Sequence, residues 1–371
     1  MAAMLAERAM RARARMDEVG VDVLLLSVGP DLPYLTGYTA MPLERLTMLV
    51  LPREGDATLV VPRLEAPRVT ERPDVFGLRP WDETDDPVAI VAGLVGAAGR
   101  VAVGDHTWAR FVLDLQAALP GSGFVRGTTV TGPLRVVKDD AEIAALRAAA
   151  AAVDRIAAEL QAGAVSLIGR TEAEVSAELS RRIVAEGHQH ANFAIVATGP
   201  NAASPHHEAG DRVIGPGDVV LCDFGGTMLD AEGVGYCSDI TRCVHVGEPP
   251  AVVAEAYAVL HQAQRAAVAA AVVGTPCQEV DDTARRVIAA AGFGDRFIHR
   301  TGHGIGVEAH EDPYIVSGNA TPLAPGHAFS VEPGIYLPGR FGLRLEDIVV
   351  AAEGGPDELN RADHGLAVVD G

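Results

Sequence analysis

The sequence predicts a two-domain chain: an α/β domain over residues 1–132, then an α+β domain over residues 133–371 with pseudo-twofold internal symmetry. Three observations predict it. At 371 residues the chain exceeds the size at which one core stops growing. Its first third interleaves short apolar strand-like runs with helical stretches, the pattern of an α/β layer. The remainder runs helix, helix, strands, and then helix, helix, strands again, a weak duplication of architecture.

Residues 4–18 carry a helical pattern that ends near Gly20. VDVLLLSV (21–28) is too short to span a membrane and reads as a strand. GPDLPYLTGY, punctuated by glycine and proline, reads as a loop. LTMLVLP and ATLVVP are strands joined by a REGD turn. VAIVAGLVGAAG (88–99) reads as a helix, VAVGD as a strand and FVLDLQAALP (111–120) as a helix. The GxG at Gly121 and Gly123 does not continue into a phosphate-binding loop. This domain is therefore expected to shape or cover a site, not to do chemistry alone.

TTVTGPLRVVKDDAEI marks the boundary, with Pro133 interrupting regular structure. Asp139 opens a helix and Glu142 follows at capping-box spacing. That alanine-rich helix ends by Gly163. Thr171 and Glu174 repeat the signal for a helix with Val175, Leu179, Ile183 and Val184 as its apolar stripe and Gly187 at its end. FAIVATG (193–199), DVVLCDFG (218–225) and YCSDITRCVHVG (236–247) read as strands. Helices return at 251–272 and 277–291, the second with Thr275 as cap, Pro276 at the first helical position and Gln278 at the third. HAFSVEPGIY and LRLEDIVVA supply the last strands.

Composition narrows the function. Hydrophobic content of 48% and charged content of 22% describe a soluble globular protein. Fifty acids against 30 bases give a net charge of -20, which argues against nonspecific nucleic-acid binding. No uncharged apolar run approaches the roughly 20 residues that cross a bilayer, so no membrane partner is expected. The N-terminus is basic and amphipathic, but it lacks an apolar core and carries Glu7, Asp17 and Glu18, so it reads as a first helix and not a targeting peptide. Cys222, Cys237, Cys243 and Cys277 form no CxxC pair and sit among apolar neighbours, as buried thiols of a cytoplasmic protein would.

Five groups carry metal-ligand chemistry: Asp223 in VVLCDFGG, Asp239 in GYCSDITR, His303 in TGHGIG, Glu332 in FSVEPG and Glu346 in LRLEDIVV. Four carboxylates and one imidazole make a hard, oxygen-rich set suited to Mn, Co or Zn. Five ligands, four able to bridge, exceed what one zinc ion takes, so two ions clamping a shared hydroxide fit the count better. Either aspartate alone could be a turn or cap residue. Together, on strands a hairpin apart, they can share one face. Three glycines around His303 let the backbone approach closely and adopt unusual angles. An unpaired Glu346 among apolar residues would be expensive. Arg344, two residues away on the same strand face, can steady Glu346 or a neighbouring carboxylate from behind. His206, His299 and His310 could donate to a peptide oxygen or an oxyanion. Spacing alone does not separate His206 from His207. His188, His190, His245 and His261 read as structural or surface residues.

The segments PHHE, DFG, YCSDITR, HRTGHGIGVEAHE, VEPGIY and LRLED resemble the pita-bread metallopeptidases. That family holds methionine aminopeptidases, Xaa-Pro aminopeptidases and Xaa-Pro dipeptidases (prolidases), with creatinase as a metal-free relative. The resemblance covers residues 140–371. DLPYLTGY and LRVVKDDAEI extend it to a creatinase/prolidase N-terminal domain, ribonuclease H-like, which methionine aminopeptidases lack. It implies that Asp223 is a terminal ligand, Asp239 and Glu346 are bridges, His303 is the imidazole ligand, and Glu332 is a ligand that also shuttles a proton. It implies that His206, 17 residues before Asp223, stabilises the intermediate, which favours it over His207. His310, seven residues after His303, would contact the scissile peptide, and His299 would line a proline pocket. The interval between the two aspartates is 16 residues here against the family's 11, an excess that falls in TMLDAEGVG and lengthens a hairpin loop.

The activity the resemblance implies is metal-dependent hydrolysis of Xaa-Pro bonds in small proline-containing peptides. Two divalent ions per subunit are expected, Mn²⁺ first, with Co²⁺ and Zn²⁺ as alternatives. A dipeptidase is preferred, an Xaa-Pro aminopeptidase comes second, and an amidohydrolase acting on a small cyclic or N-acylated amino acid third. A homodimer is expected on the same ground. A non-enzymatic binding scaffold is opposed by the intact ligand set.

Overall fold

The computed structural model describes residues 2–370. It divides into two compact units, Met1–Arg135 with Leu229–Gly235, and Val136–Met228 with Tyr236–Gly371.

The first unit holds α1 (Ala2–Val19), β1 (Val23–Leu26), α2 (Asp31–Thr36), β2 (Met48–Pro52), β3 (Thr58–Pro62), β4 (Gly77–Trp81), α3 (Pro87–Val95), β5 (Arg100–Val103), α4 (Ala109–Ala118), β6 (Gly123–Arg126) and α5 (Thr128–Val136). Its strands form one mixed sheet in the order β4-β3-β2-β1-β5-β6. Val23, Leu25, Val50 and Val101 pack against Val91, Phe111 and Leu115 from α3 and α4.

Two sequence expectations are corrected here. GPDLPYLTGY is not all loop, because Asp31–Thr36 is helical. Pro33 falls in the first turn, where its missing N–H leaves no bond unmade, and Gly37, at φ 70°, closes the helix by donating to the Pro33 carbonyl. Pro133 does not interrupt regular structure, for it lies inside α5. The Thr129 carbonyl, which a residue at 133 would otherwise bond, accepts from Arg15 Nε at 3.4 Å. The strands β4 and β6 carry no clear apolar pattern because both are sheet edges.

The loop that lengthens the aspartate interval is ordered. Asp230 Oδ1 accepts from the amides of Glu232 and Val234 at 2.8 and 2.9 Å, and Gly233 takes φ +86°. Glu232 pairs with Arg72 at 2.8 Å within the first unit.

The second unit starts with α6 (Asp140–Gln161) and α7 (Glu172–Ala185). Both begin in full capping boxes, Asp139 with Glu142 and Thr171 with Glu174. Val175, Leu179 and Ile183 are buried, but Val184 is 49% exposed, one helical step off the stripe. Next come β7 (His190–Thr198), β8 (Val219–Leu229), β9 (Gly235–Cys237) and β10 (Ile240–Val246). The strand expected over 236–247 is thus two strands, parted at Ser238 and Asp239. There the Gly226 amide bonds Ser238 Oγ at 3.1 Å instead of a ladder partner.

The second set repeats the order with α8 (Ala251–Ala270), α9 (Cys277–Ala290), β11 (Gly302–Gly304), β12 (Glu311–Ile315), β13 (Ala328–Val331), β14 (Gly334–Leu337), β15 (Phe341–Arg344), β16 (Asp347–Val350) and β17 (Asp357–Glu358). The last strand, β18 (Ala367–Val369), returns to pair with β10. Pro276, not Thr275, occupies the N-cap of α9, and no side chain caps that helix. One sheet runs β18-β10-β8-β7, the other β12-β11-β13-β16-β17. Each rests on its own helix pair: α6 and α7 pack under the first, α8 and α9 under the second. An isolated bridge, Thr241 with Glu346, joins the two sets, beside the pairing of β18 with β10.

Candidate metal centre

The bridge between the two sets lies at the site. β8 pairs with β10 so that Asp223 faces Thr241, and Asp239 sits at the break just before β10. Glu346 lies in the gap between β15 and β16, and its amide donates to the Thr241 carbonyl at 3.3 Å. His303 is the central residue of β11. Glu332 follows β13 directly. The two aspartates thus come from the first set and the histidine and glutamates from the second.

The glycines around His303 serve space and not torsion. Neither Gly302 nor Gly304 has positive φ. A Cβ on Gly302 would overlap the Ser330 carbonyl oxygen, and one on Gly304 the Asp312 carbonyl. Only bare backbone lets β11 lie this close to its neighbours.

All nine side chains singled out in the sequence line one cavity of about 470 Å³: His206, Asp223, Asp239, His299, His303, His310, Glu332, Arg344 and Glu346. Phe193, Ile195, Pro205 and Arg300 complete its wall. His207 turns elsewhere, its Nε2 lying 2.7 Å from the buried Glu172 carboxylate. Glu172 also accepts from the amides of Thr198 and Gly210.

The donor atoms converge. Asp239, His303 and Glu346 each offer a ligand atom, all within 4.8 Å of one another. His303 Nδ1 lies 3.1 Å from the Gly304 carbonyl and so must carry a proton. Its Nε2 then faces Glu332 Oε1 at 3.2 Å and Asp239 Oδ2 at 3.9 Å. In the neutral ring that nitrogen is an acceptor facing acceptors, and a cation between them removes the conflict. Asp223 Oδ1 and Asp239 Oδ1 are buried and bond no described group. Buried polar atoms are rarely left without partners.

Electrostatics agree with this reading. Burial, with Glu346 beside it, pushes the Asp239 carboxyl well above its usual range. Burial together with the Glu332 and Asp223 charges does the same to Glu346. Burial raises Asp223 despite its contact with Arg344. Glu332 goes the other way: burial opposes ionisation, yet a hydrogen bond from His303, available when Nε2 carries a proton, holds it down to about 2. Four acids this close cannot all ionise without positive charge among them. The residues present therefore fit divalent metal.

Arg344 is committed behind the acids. It pairs with Asp223, donates to Thr241 Oγ1 at 3.2 Å and Tyr336 Oη at 2.9 Å, and reaches the Pro205 carbonyl at 3.3 Å. Thr241 Oγ1 in turn donates to Glu346 Oε2 at 2.7 Å. His299 receives the Tyr336 hydroxyl at Nε2, 2.8 Å away, and donates from Nδ1 to the Arg300 carbonyl at 2.7 Å. With both nitrogens bonded, it offers the cavity a ring wall. The ring of His310 lies 3.9 Å from that of His303, and burial lowers its pKa to about 4.

Sequence reasoning missed Thr241, Tyr336, Arg242 and Arg300. The first two sat inside quoted motifs, SDITR and VEPGIY, at positions two and four residues from an acid. Arg242 is fully buried and clamps the backbone of the bridge, donating to the carbonyls of Thr241 at 3.0 Å and Glu346 at 2.7 Å and to Asp347 at 2.7 Å. In the nearby group of Asp347, Glu358 and His364, Asp347 pairs with this arginine and with His364, and Glu358 pairs with Arg265.

Comparison with known proteins places this geometry. Residues 143–353 match the profile described as metallopeptidase family M24, and residues 8–137 match the creatinase/prolidase N-terminal domain. A probable dipeptidase, PepE, of Mycobacterium tuberculosis is 46% identical over 368 residues, covering 98% of this chain and 96% of the relative. An Xaa-Pro dipeptidase of Lactobacillus helveticus is 35% identical over 363 residues, covering 94% and 95%. The crystal structure of a prolidase from Thermococcus sibiricus superposes with a TM-score of 0.91 at 35% identity, over 98% of each chain.

Proposed function

The chain belongs to metallopeptidase family M24, and from that membership we propose that it is a metal-dependent Xaa-Pro dipeptidase. Asp223, Asp239, His303, Glu332 and Glu346 would hold two divalent ions, Mn²⁺ by the oxygen-rich donor set. Bound there, such ions supply an activated water and polarisation of a peptide carbonyl.

The chain's own groups do the rest. Asp239 and Glu346, from opposite sets, span the centre, and Thr241 fixes the Glu346 carboxylate at 2.7 Å. Glu332 would take a proton from the water and return it to the proline nitrogen as the bond breaks. His206 and His310 face the same cavity, and each imidazole can donate to the substrate carbonyl oxygen as negative charge develops on it. Phe193, Ile195 and the His299 ring offer apolar surface to a pyrrolidine ring.

One observation carries the reading: His303, whose Nδ1 is committed to the Gly304 carbonyl, turns Nε2 to Glu332 Oε1 at 3.2 Å among buried acids. The relatives called dipeptidase support the substrate class. The test is a parallel assay of Ala-Pro, Ala-Pro-Ala and an N-acetylated amino acid, with and without Mn²⁺. Mn²⁺-dependent cleavage of Ala-Pro alone is expected. Cleavage of Ala-Pro-Ala would mark an aminopeptidase, and cleavage of only the acetylated compound an amidohydrolase.

Among the described residues no helix is long and apolar enough to cross a membrane. The four cysteines are free and buried, which supports a reducing compartment, and we place the protein in the cytoplasm on that ground. A homodimer follows from the family resemblance and is checked by light scattering on the eluted peak.

A further inference from the structure

Asp239 reaches the centre from a break between two strands, so its backbone needs fixing on both sides. Downstream the ladder does this, for Ile240 pairs with Phe224 on β8. Upstream the hold is Ser238. Its amide donates to the Gly226 carbonyl at 2.9 Å, and its Oγ accepts from the Gly226 amide at 3.1 Å. The hydroxyl still has its own hydrogen to give. Two described acceptors lie within reach: His188 Nε2 at 2.8 Å, and the Gly226 carbonyl at 3.3 Å, which the Ser238 amide already occupies. His188 is buried and stands just past the end of α7. Its backbone amide and its Nδ1 both reach the Ile183 carbonyl, at 3.3 and 3.2 Å. Burial lowers the pKa of His188, so the ring is neutral at pH 7. In the neutral ring Nδ1 donates to Ile183 and Nε2 accepts the Ser238 hydroxyl. The fit is tight. A Cβ on Gly226 would overlap the His190 carbonyl oxygen and Ile183 Cγ2 and meet His188 Cδ2 at 3.0 Å.

We propose that His188 is a positioning residue of the metal centre: by holding the Ser238 hydroxyl it fixes the backbone that aims Asp239. This rests on the two-ion reading above. The donor atoms of Asp239, His303 and Glu346 lie within 4.8 Å of one another, a convergence that a shifted Asp239 backbone would spoil. His188 does not line the cavity, so its contribution is to metal affinity, as for other groups that orient a ligand from behind. The sequence reads His188 as structural or surface because its partner Ser238 lies 50 positions on.

The test measures Mn²⁺ affinity of the full chain by competition with a chelating dye. His188→Leu fills the space without the acceptor and is expected to weaken Mn²⁺ binding about 10-fold. Ser238→Ala breaks the same link from the other side with a smaller change. The double variant His188→Leu/Ser238→Ala should bind no more weakly than the weaker single one, because both remove one shared interaction. His188→Gln, whose amide oxygen can accept the Ser238 hydroxyl, should regain most of the affinity. Ser27→Ala deletes a buried hydroxyl bond of the first unit, to the Thr47 carbonyl at 2.8 Å. It should lower the urea midpoint and leave Mn²⁺ affinity as in wild type. Wild-type affinity in Ser238→Ala, additive losses in the double variant, or an equal loss in Ser27→Ala overturns the assignment of His188. A wild-type chain that binds no Mn²⁺ would instead overturn the two-ion reading.

Discussion

His303 shows what a single residue contributes. Its Nδ1 is spent on its own neighbour's carbonyl, so in the neutral ring Nε2 can only accept. Placed among four acids, that lone pair needs a cation. Asp239→Asn keeps the shape of the side chain and removes its charge. It should abolish both metal loading, read by elemental analysis, and peptidase activity; full turnover in that variant would contradict the dinuclear assignment. Thr241→Val removes the hydroxyl that fixes Glu346 and should weaken metal affinity about 10- to 100-fold, measurable by competition with a chelating dye. The candidate ligands were legible in sequence because each stands beside glycine, proline or an apolar strand-like run and not in a solvated charge tract. Thr241 and Tyr336 were not, since their partners lie far away in the chain: Thr241 bonds a residue 105 positions on. Sequence distance hides such a pair until the bridge between the two sets forms.

Elements were legible where local chemistry decides them. Both capping boxes stand where Asp139 and Thr171 announced them. Thr171→Ala should lower stability by about 1 kcal/mol, read from the urea midpoint. Glu172, in the first turn of the same helix, does a different job. It accepts from Thr198, Asn201, Gly210 and His207 and holds the segment that carries His206. Glu172→Ala leaves buried donors unpaired, at roughly 1–3 kcal/mol for each that finds no water. The same variant should raise KM by loosening His206; stability loss with unchanged KM would show that Glu172 holds the fold alone. What the sequence hid were elements decided by their neighbours. β4 and β6 are edge strands, and GLRPW carries a proline that only an edge admits. α5 tolerates Pro133 because Arg15, more than a hundred residues earlier, takes the carbonyl it frees.

At the scale of the whole molecule, stability should depend on both pH and metal. His327 is buried, its Nδ1 accepts the Ala324 amide at 3.2 Å, and burial, then Lys138, lowers its pKa to about 4. An unfolded histidine titrates near 6.5, so between pH 6.5 and 4 the unfolded chain binds the extra proton. Stability is then complete above about pH 6.5 and falls as pH drops toward 4, by on the order of 2 kcal/mol at pH 4.5. Urea midpoints across that range should show the loss, and His327→Gln should flatten it. Metal removal acts on the same balance: without cations the centre holds buried like charges, so a chelator should lower the melting temperature and Mn²⁺ restore it. The central claim is that Asp223, Asp239, His303, Glu332 and Glu346 gather two cations at the bridge between the two sets. Anomalous diffraction from crystals grown with Mn²⁺ tests it most directly. Two manganese peaks enclosed by these five side chains are predicted; a fully soaked crystal with no peak among them would contradict it.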